Sequence, residues 1–151
     1  MDWLLVSLLP GLENRAGIPL AILRGVNPFV AWIISSLLSF AAGLLVLLFL
    51  SRLEELVLLT PLSNLYKAVS ENVRKRVYKY VEKYGRFALP VFVAVPMPGS
   101  GVYSGALAAF LLGMKKEEAL VGLLVGSFLS GLIVLIASAS LRALISPLPL
   151  P

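Results

Sequence analysis

Neither cysteine nor histidine occurs among the 151 residues. The first absence removes disulfides and thiolate metal centres. The second removes the commonest metal ligand and the usual proton shuttle near neutral pH, leaving carboxylates for any proton chemistry. Charge is scarce too, at 14% of the chain, and most of it falls between Arg52 and Arg86. With a single acid, Glu13, in the broken apolar segments near the ends of that charged stretch, no nucleophile–base pair or metal constellation can be assembled within a membrane. An enzyme is therefore not expected, and neither a metal site nor a cofactor is.

Apolar sequence is what the chain has in excess. The apolar fraction is 59% and the mean hydropathy +0.94, against about 45–50% apolar usage in soluble domains. Length implies one domain, and composition implies an all-α integral membrane fold. The start, Met1-Asp2-Trp3, is acidic, and Pro10 soon interrupts the apolar run, so a cleaved signal peptide is not expected.

Two uncharged runs, Phe29 to Leu50 and Ala119 to Leu141, are long enough to span a bilayer, which takes about 20 residues of helix. Each carries small residues at four-residue spacing, Ser35, Ser39 and Gly43 in the first and Gly122, Gly126 and Ser130 in the second, a pattern that admits close helix approach. Before each span stand two short apolar arms broken by a Pro/Gly tip: Trp3 to Leu9 and Ile18 to Leu23 around Pro10–Gly17, then Phe87 to Val95 and Val102 to Leu112 around Pro96–Gly105. Either pair could be a kinked span or a re-entrant hairpin. Non-helical backbone at membrane depth is tolerated only where protein or water satisfies it.

Between the halves, Thr60-Pro61 reads as a helix start. Leu62, Leu65, Val69, Val73, Val77, Tyr80, Val81 and Tyr84 then recur at helical intervals among Lys and Arg, giving a basic amphipathic surface helix over 60–85. Its charge reads as a solvated face, with no nucleic acid implied. The tail 146–151 is too proline-rich for helix.

The halves echo one another at an offset of 88 residues without a gap. Pro10/Pro98, Gly11/Gly99, Gly17/Gly105, Gly25/Gly113 and Gly43/Gly131 coincide, as do Ala21/Ala109, Ala31/Ala119, Ser39/Ser127 and Phe40/Phe128. Leucine-rich stretches match by chance; glycine and proline seldom do. The expected plan is two repeats, 3–51 and 86–142, each a re-entrant hairpin plus one transmembrane helix. An odd number of crossings per repeat inverts the second copy. Re-entrant hairpins then place ten basic residues, from Arg52–Arg86 and Lys115-Lys116, opposite Arg24 and Arg142. The positive-inside rule makes the linker cytoplasmic and both termini external.

Inverted repeats with broken helices meeting near the midplane are the architecture of many secondary transporters. Here the second arm of each hairpin would aim its N-terminal N–H groups at the centre. Arg15 adds a positive charge, and Ser100, Tyr103 and Ser104 add hydroxyls, a set suited to a phosphate or carboxylate. Glu13 is either a proton-coupling carboxylate, protonated by desolvation when Arg15 turns toward substrate, or a structural group fixed to Arg15 or to loose backbone at the tip. Pro10, Gly11, Gly17, Pro19, Pro96, Pro98, Gly99, Gly101 and Gly105 are expected to shape the hairpin backbones.

Glu13-Asn14-Arg15-Ala16-Gly17-Ile18-Pro19 and Pro96-Met97-Pro98-Gly99-Ser100-Gly101-Val102-Tyr103-Ser104-Gly105 resemble the E-x-R-x-x-I-P and P-x-P-G-[ST]-G-x-aromatic-x-G signatures of the small multidrug export protein family. That family in turn distantly resembles the DedA and VTT membrane proteins, whose fold pairs inverted re-entrant hairpins with transmembrane helices. The resemblance implies lipid translocation or proton-coupled transport, though this chain lacks the flanking helices and the second-hairpin arginines of DedA proteins. The leading expectation is a transporter or lipid flippase, proton-coupled, taking a small anionic or lipid-phosphate substrate between the hairpin tips. Its alternatives are a small multidrug (cation) efflux protein, with Glu13 shared between proton and drug, and a non-transporting scaffold. Membrane lipids are expected partners, as is a second copy in a homodimer built on the small-residue stripes.

Overall fold

The structure is a computed structural model, and it describes residues 3–60, 64, 67, 71, 85–95 and 101–145. Most of the basic segment 60–85, the tip residues Pro96, Pro98, Gly99 and Ser100, and the tail 146–151 lie outside the described residues; Asn64, Lys67 and Glu71 are helical and exposed. Helices bounded within the described residues run in the order α1 (Trp3–Leu8), α2 (Glu13–Leu23), α3 (Pro28–Leu58), α4 (Ala88–Ala94, entered through a 3-10 turn at Gly85–Phe87), α5 (Val102–Leu111) and α6 (Lys116–Ile145). The architecture is all-α, with no strand among the described residues.

Local chemistry sets these boundaries. Pro10 supplies no N–H to continue α1, and Gly11 turns the chain at φ +82. At the end of α2 the Gly25 N–H reaches the Ile22 carbonyl at 3.1 Å and the Val26 N–H the Ala21 carbonyl at 3.0 Å, with Gly25 at φ +80. That is a Schellman ending, which needs a left-handed residue and so favours glycine. The same pair of bonds closes α5 88 positions later, Gly113 N–H to Phe110 at 3.0 Å and Met114 N–H to Ala109 at 3.1 Å, with Gly113 at φ +62. Asn27 then caps α3, its Oδ1 accepting the Phe29 N–H at 2.9 Å, and Pro28 takes the first helical position, where its missing N–H costs nothing. The long helices start at Pro28 and Lys116, again 88 apart.

α3 and α6 are long and apolar enough to cross a membrane, over Pro28–Leu56 and Lys116–Arg142. α3 overruns the uncharged stretch that ends at Leu50, because Arg52, Glu54 and Glu55 end its apolarity without breaking its helix. The exposed Arg52–Glu55 pair at 3.2 Å lies on that overrun, and such pairs contribute about 0–1 kcal/mol. α1, α2, α4 and α5 are each too short to cross alone.

α3 packs on α6, and the short helices fill in around them. α1 and α2 pack on α3, and α4 and α5 on α6; each second arm also reaches the opposite long helix, α2 onto α6 and α5 onto α3. One apolar cluster joins Leu47, Leu89, Val93, Val102, Ala106 and Leu123. The other joins Ile18, Ile22 and Val134, with Trp32 and Leu135 against it. The small-residue stripes are occupied inside the chain: Ser35 and Ser39 are buried, and added β-carbons at Gly43, Gly122 and Gly126 would stand 2.9 Å from Val102, 2.7 Å from Leu89 and 2.5 Å from Val93. The close approach they permit is intramolecular, so these stripes are not faces for a second copy.

Candidate functional site

Glu13 opens α2 in the left-handed region at φ 41, the one non-glycine residue with positive φ among those described. That conformation costs an L-residue about 1–2 kcal/mol, and it turns the side chain inward, where Glu13 is only 7% exposed. Its carboxylate lies over Gly101: a β-carbon there would stand 2.6 Å from Oε1 and 2.9 Å from Oε2. The Val102 N–H donates to Oε2 at 3.2 Å. The acid from the first tip thus caps the N-terminus of α5, where unsatisfied N–H groups and the positive helix end favour an anion. Gly101 is extended, so its lack of a side chain matters for this approach and not for its backbone angles.

Two further bonds tie the tips together. Arg15 Nη2 donates to the Val95 carbonyl just past α4, at 3.3 Å, and the guanidinium also acts through space on the Glu13 carboxylate. In return, the Tyr103 hydroxyl donates to the Leu8 carbonyl at the end of α1. Ser104, expected to offer its hydroxyl to the centre, instead donates to the Gly101 carbonyl at 3.3 Å on its own helix. Gly17 lies where a β-carbon would collide with Ser7 Oγ; one at Gly105 would stand 2.5 Å from Val93. Pro19 lies inside α2, and Pro10 and Gly11 form the exposed turn before it.

Sequence reasoning missed the residue that anchors this arrangement. Asn14, 2% exposed, donates through Nδ2 to the Ser127 carbonyl on α6 at 2.8 Å, and its Oδ1 accepts the Ser39 hydroxyl of α3 at 2.5 Å. One amide at the start of α2 is therefore held by both long helices, at positions 39 and 127 of the 88-residue echo. The signal was present in the polar identity Ser39/Ser127, which four-residue spacing disguised as a packing stripe.

Chemically, the site offers a buried carboxylate able to hold a proton or a cation, next to a guanidinium. The α5 N-terminus that could receive an external anion is taken by the protein's own Glu13. No group of three or more Asp, Glu, His or Cys able to hold a metal occurs among the described residues.

The family model described as "Putative small multi-drug export protein" matches residues 13–133. The match starts at Glu13 and runs through the second tip into α6. No curated protein and no solved structure matches the chain. The family is a transport class and not an enzyme class, which accords with two apolar helices long enough to span and with a membrane-associated protein. With most of its length matched, from the first tip's acid to the second long helix, the chain belongs to the small multi-drug export protein family.

Proposed function

We propose that this protein exports cationic compounds in exchange for protons, with Glu13 as the carboxylate that holds each in turn. The observation that carries the reading is the position of that carboxylate: buried at the junction of the two halves, over Gly101 and on the Val102 N–H. An ionisable group inside a membrane is costly, about 2.5–3.5 kcal/mol at the bilayer centre for comparable charges on insertion scales. Such groups mark ion and substrate paths more often than structural joints. The same carboxylate bridges both tips, so neutralising it by a proton or cation loosens the contact that closes them.

In this reading the two halves are inverted repeats and the short helix pairs are re-entrant hairpins, with the linker cytoplasmic and the termini external. Matched helix starts, matched Schellman endings and the reciprocal packing of α2 on α6 and α5 on α3 support it. In this reading a homodimer uses outward apolar residues such as Leu45, Phe49 and Leu56, the stripes being occupied within the chain.

An anionic or lipid-phosphate substrate is the second reading, favoured by Arg15 beside the tips. It requires Glu13 to leave the α5 N-terminus first. The test is uptake by proteoliposomes under an imposed proton gradient, with a cationic dye and a fluorescent lipid phosphate as rival substrates. The proposal expects proton-driven dye movement that is lost in Glu13→Gln. Movement of lipid phosphate alone, lost in Arg15→Ala, would favour the second reading.

A further inference from the structure

A cleft of about 250 Å3 opens where the end of α3, the end of α5 and the start of α6 converge, at the opposite end of α5 from the Glu13–Val102 contact. Leu47, Ala109 and Ala119 line it and are buried, forming its floor. Phe110 and Met114, packed against the same apolar cluster, line its sides. Its polar residues are Ser51 and Glu54, three positions apart on one face of α3, and Lys116 in the first turn of α6.

These three stand where both long helices leave apolar sequence: Leu50 is the last residue of the uncharged run of α3, and Lys115-Lys116 precede that of α6. In a bilayer that is the level at which hydrocarbon gives way to headgroups. The rim is also polarised across the cleft. Ser51 Oγ gives its hydrogen to the Leu47 carbonyl at 2.9 Å, so towards the cleft it only accepts, and the Glu54 carboxylate accepts from more than one donor. Opposite them the Lys116 ammonium only donates, at a helix N-terminus that adds positive partial charge.

The 88-residue echo repeats the floor and drops the rim. Leu47, Ala109, Gly113 and Ala119 have identical partners in Leu135, Ala21, Gly25 and Ala31, whereas Ser51, Glu54 and Lys116 correspond to Ala139, Arg142 and Pro28. Helix packing accounts for the shared residues. It does not call for an acid and a base on facing sides of one cleft.

We propose that this cleft binds the headgroup of a zwitterionic phospholipid with a primary ammonium, the phosphoethanolamine class. The ammonium lies on Glu54 and Ser51, the phosphodiester on Lys116, and the first chain carbons on Leu47, Phe110 and Met114. Charge decides the class, since an anionic headgroup is opposed by Glu54 and a cation by Lys116. A trimethylammonium has no N–H for the acceptors and is held by aromatic cages, whereas Phe110 is the one aromatic ring lining the cleft among the described residues. The volume also falls below the range for drug-sized ligands, about 300–1,000 Å3, so an export substrate is not the occupant. The bound lipid ties α3 to α6 at the membrane surface. The site is separate from Glu13 and independent of the exchange reading.

The experiment is lipid binding to the purified full chain in neutral detergent, with phosphatidylethanolamine, phosphatidylcholine and phosphatidylglycerol of the same acyl chains, read by native mass spectrometry and by thermal unfolding. Phosphatidylethanolamine is expected to be retained preferentially and to raise the unfolding temperature saturably. Glu54→Gln and Lys116→Gln, at residues outside the buried core, each weaken that binding at least about tenfold, the loss of a charge-assisted hydrogen bond. Lys116→Arg, which keeps the charge, retains it. Equal retention of the three lipids, as for a nonspecific annulus, overturns the proposal, and so does a preference for phosphatidylglycerol or one that survives both glutamine variants. Soluble phosphoethanolamine competing as well as the lipid would overturn the lipid as its source. Binding is measured without transport, so its failure and that of the exchange reading are distinguishable.

Discussion

Glu13 and Gly101, 88 residues apart, are in such close contact that one methyl group on Gly101 would stand 2.6 Å from the Glu13 carboxylate. The acid of the first tip is therefore shaped to a gap in the second.

Gly101→Ala follows directly. The added carbon displaces the carboxylate, because the contact falls on the far end of a flexible side chain, which swings aside while the backbone holds. Export is expected to fall about as far as in Glu13→Gln, with the double variant no worse than either single one. A double-mutant cycle on transport checks this, with an expected coupling of about 1–3 kcal/mol; additive losses would separate the two residues.

Asn14→Ala removes one amide and strands two partners, the Ser39 hydroxyl and the Ser127 carbonyl. Interhelical hydrogen bonds in membranes average about 0.6 kcal/mol and reach about 1.7. A destabilisation of about 1–2 kcal/mol is expected in reversible unfolding from mixed micelles.

Gly25→Ala isolates a backbone cost. Nothing lies within 4 Å of the added carbon, while the residue sits at φ +80. A loss of about 1–2 kcal/mol is expected from the left-handed conformation alone. Gly25→Asn, which tolerates that region better, is expected to recover part of it in the same thermal assay.

The absence of cysteine makes topology directly measurable. Single substitutions Arg24→Cys and Arg142→Cys are expected to react with an impermeant maleimide added outside intact cells. Lys67→Cys and Lys115→Cys are expected to react only after the cells are opened. Labelling of Lys115→Cys from outside would mean that the second hairpin crosses fully.

Most of the fold's framework was legible because it rests on local signals. Gly25 and Gly113 marked two helix ends through one backbone requirement, and the 88-residue offset carried the start of α3 onto the start of α6. The overrun of α3 past Leu50 was not legible, since hydropathy reports where a membrane ends and Arg52, Glu54 and Glu55 are all competent in helices. At the site, the charges of the first tip announced themselves by their rarity within apolar sequence. Partners could not be read the same way. That Glu13 caps α5, that Ser104 turns back on Gly101, and that Asn14 spans Ser39 and Ser127 are consequences of packing between segments distant in sequence.

The central claim is that one carboxylate serves proton and cation in turn. Calorimetric binding of a cationic dye to the purified protein, repeated in buffers of different ionisation enthalpy, counts the protons released on binding. Binding is expected to release a proton for each cation bound, to weaken as pH falls, and to lose the proton release in Glu13→Gln. Dye binding without proton release, or release unchanged in Glu13→Gln, would contradict the account.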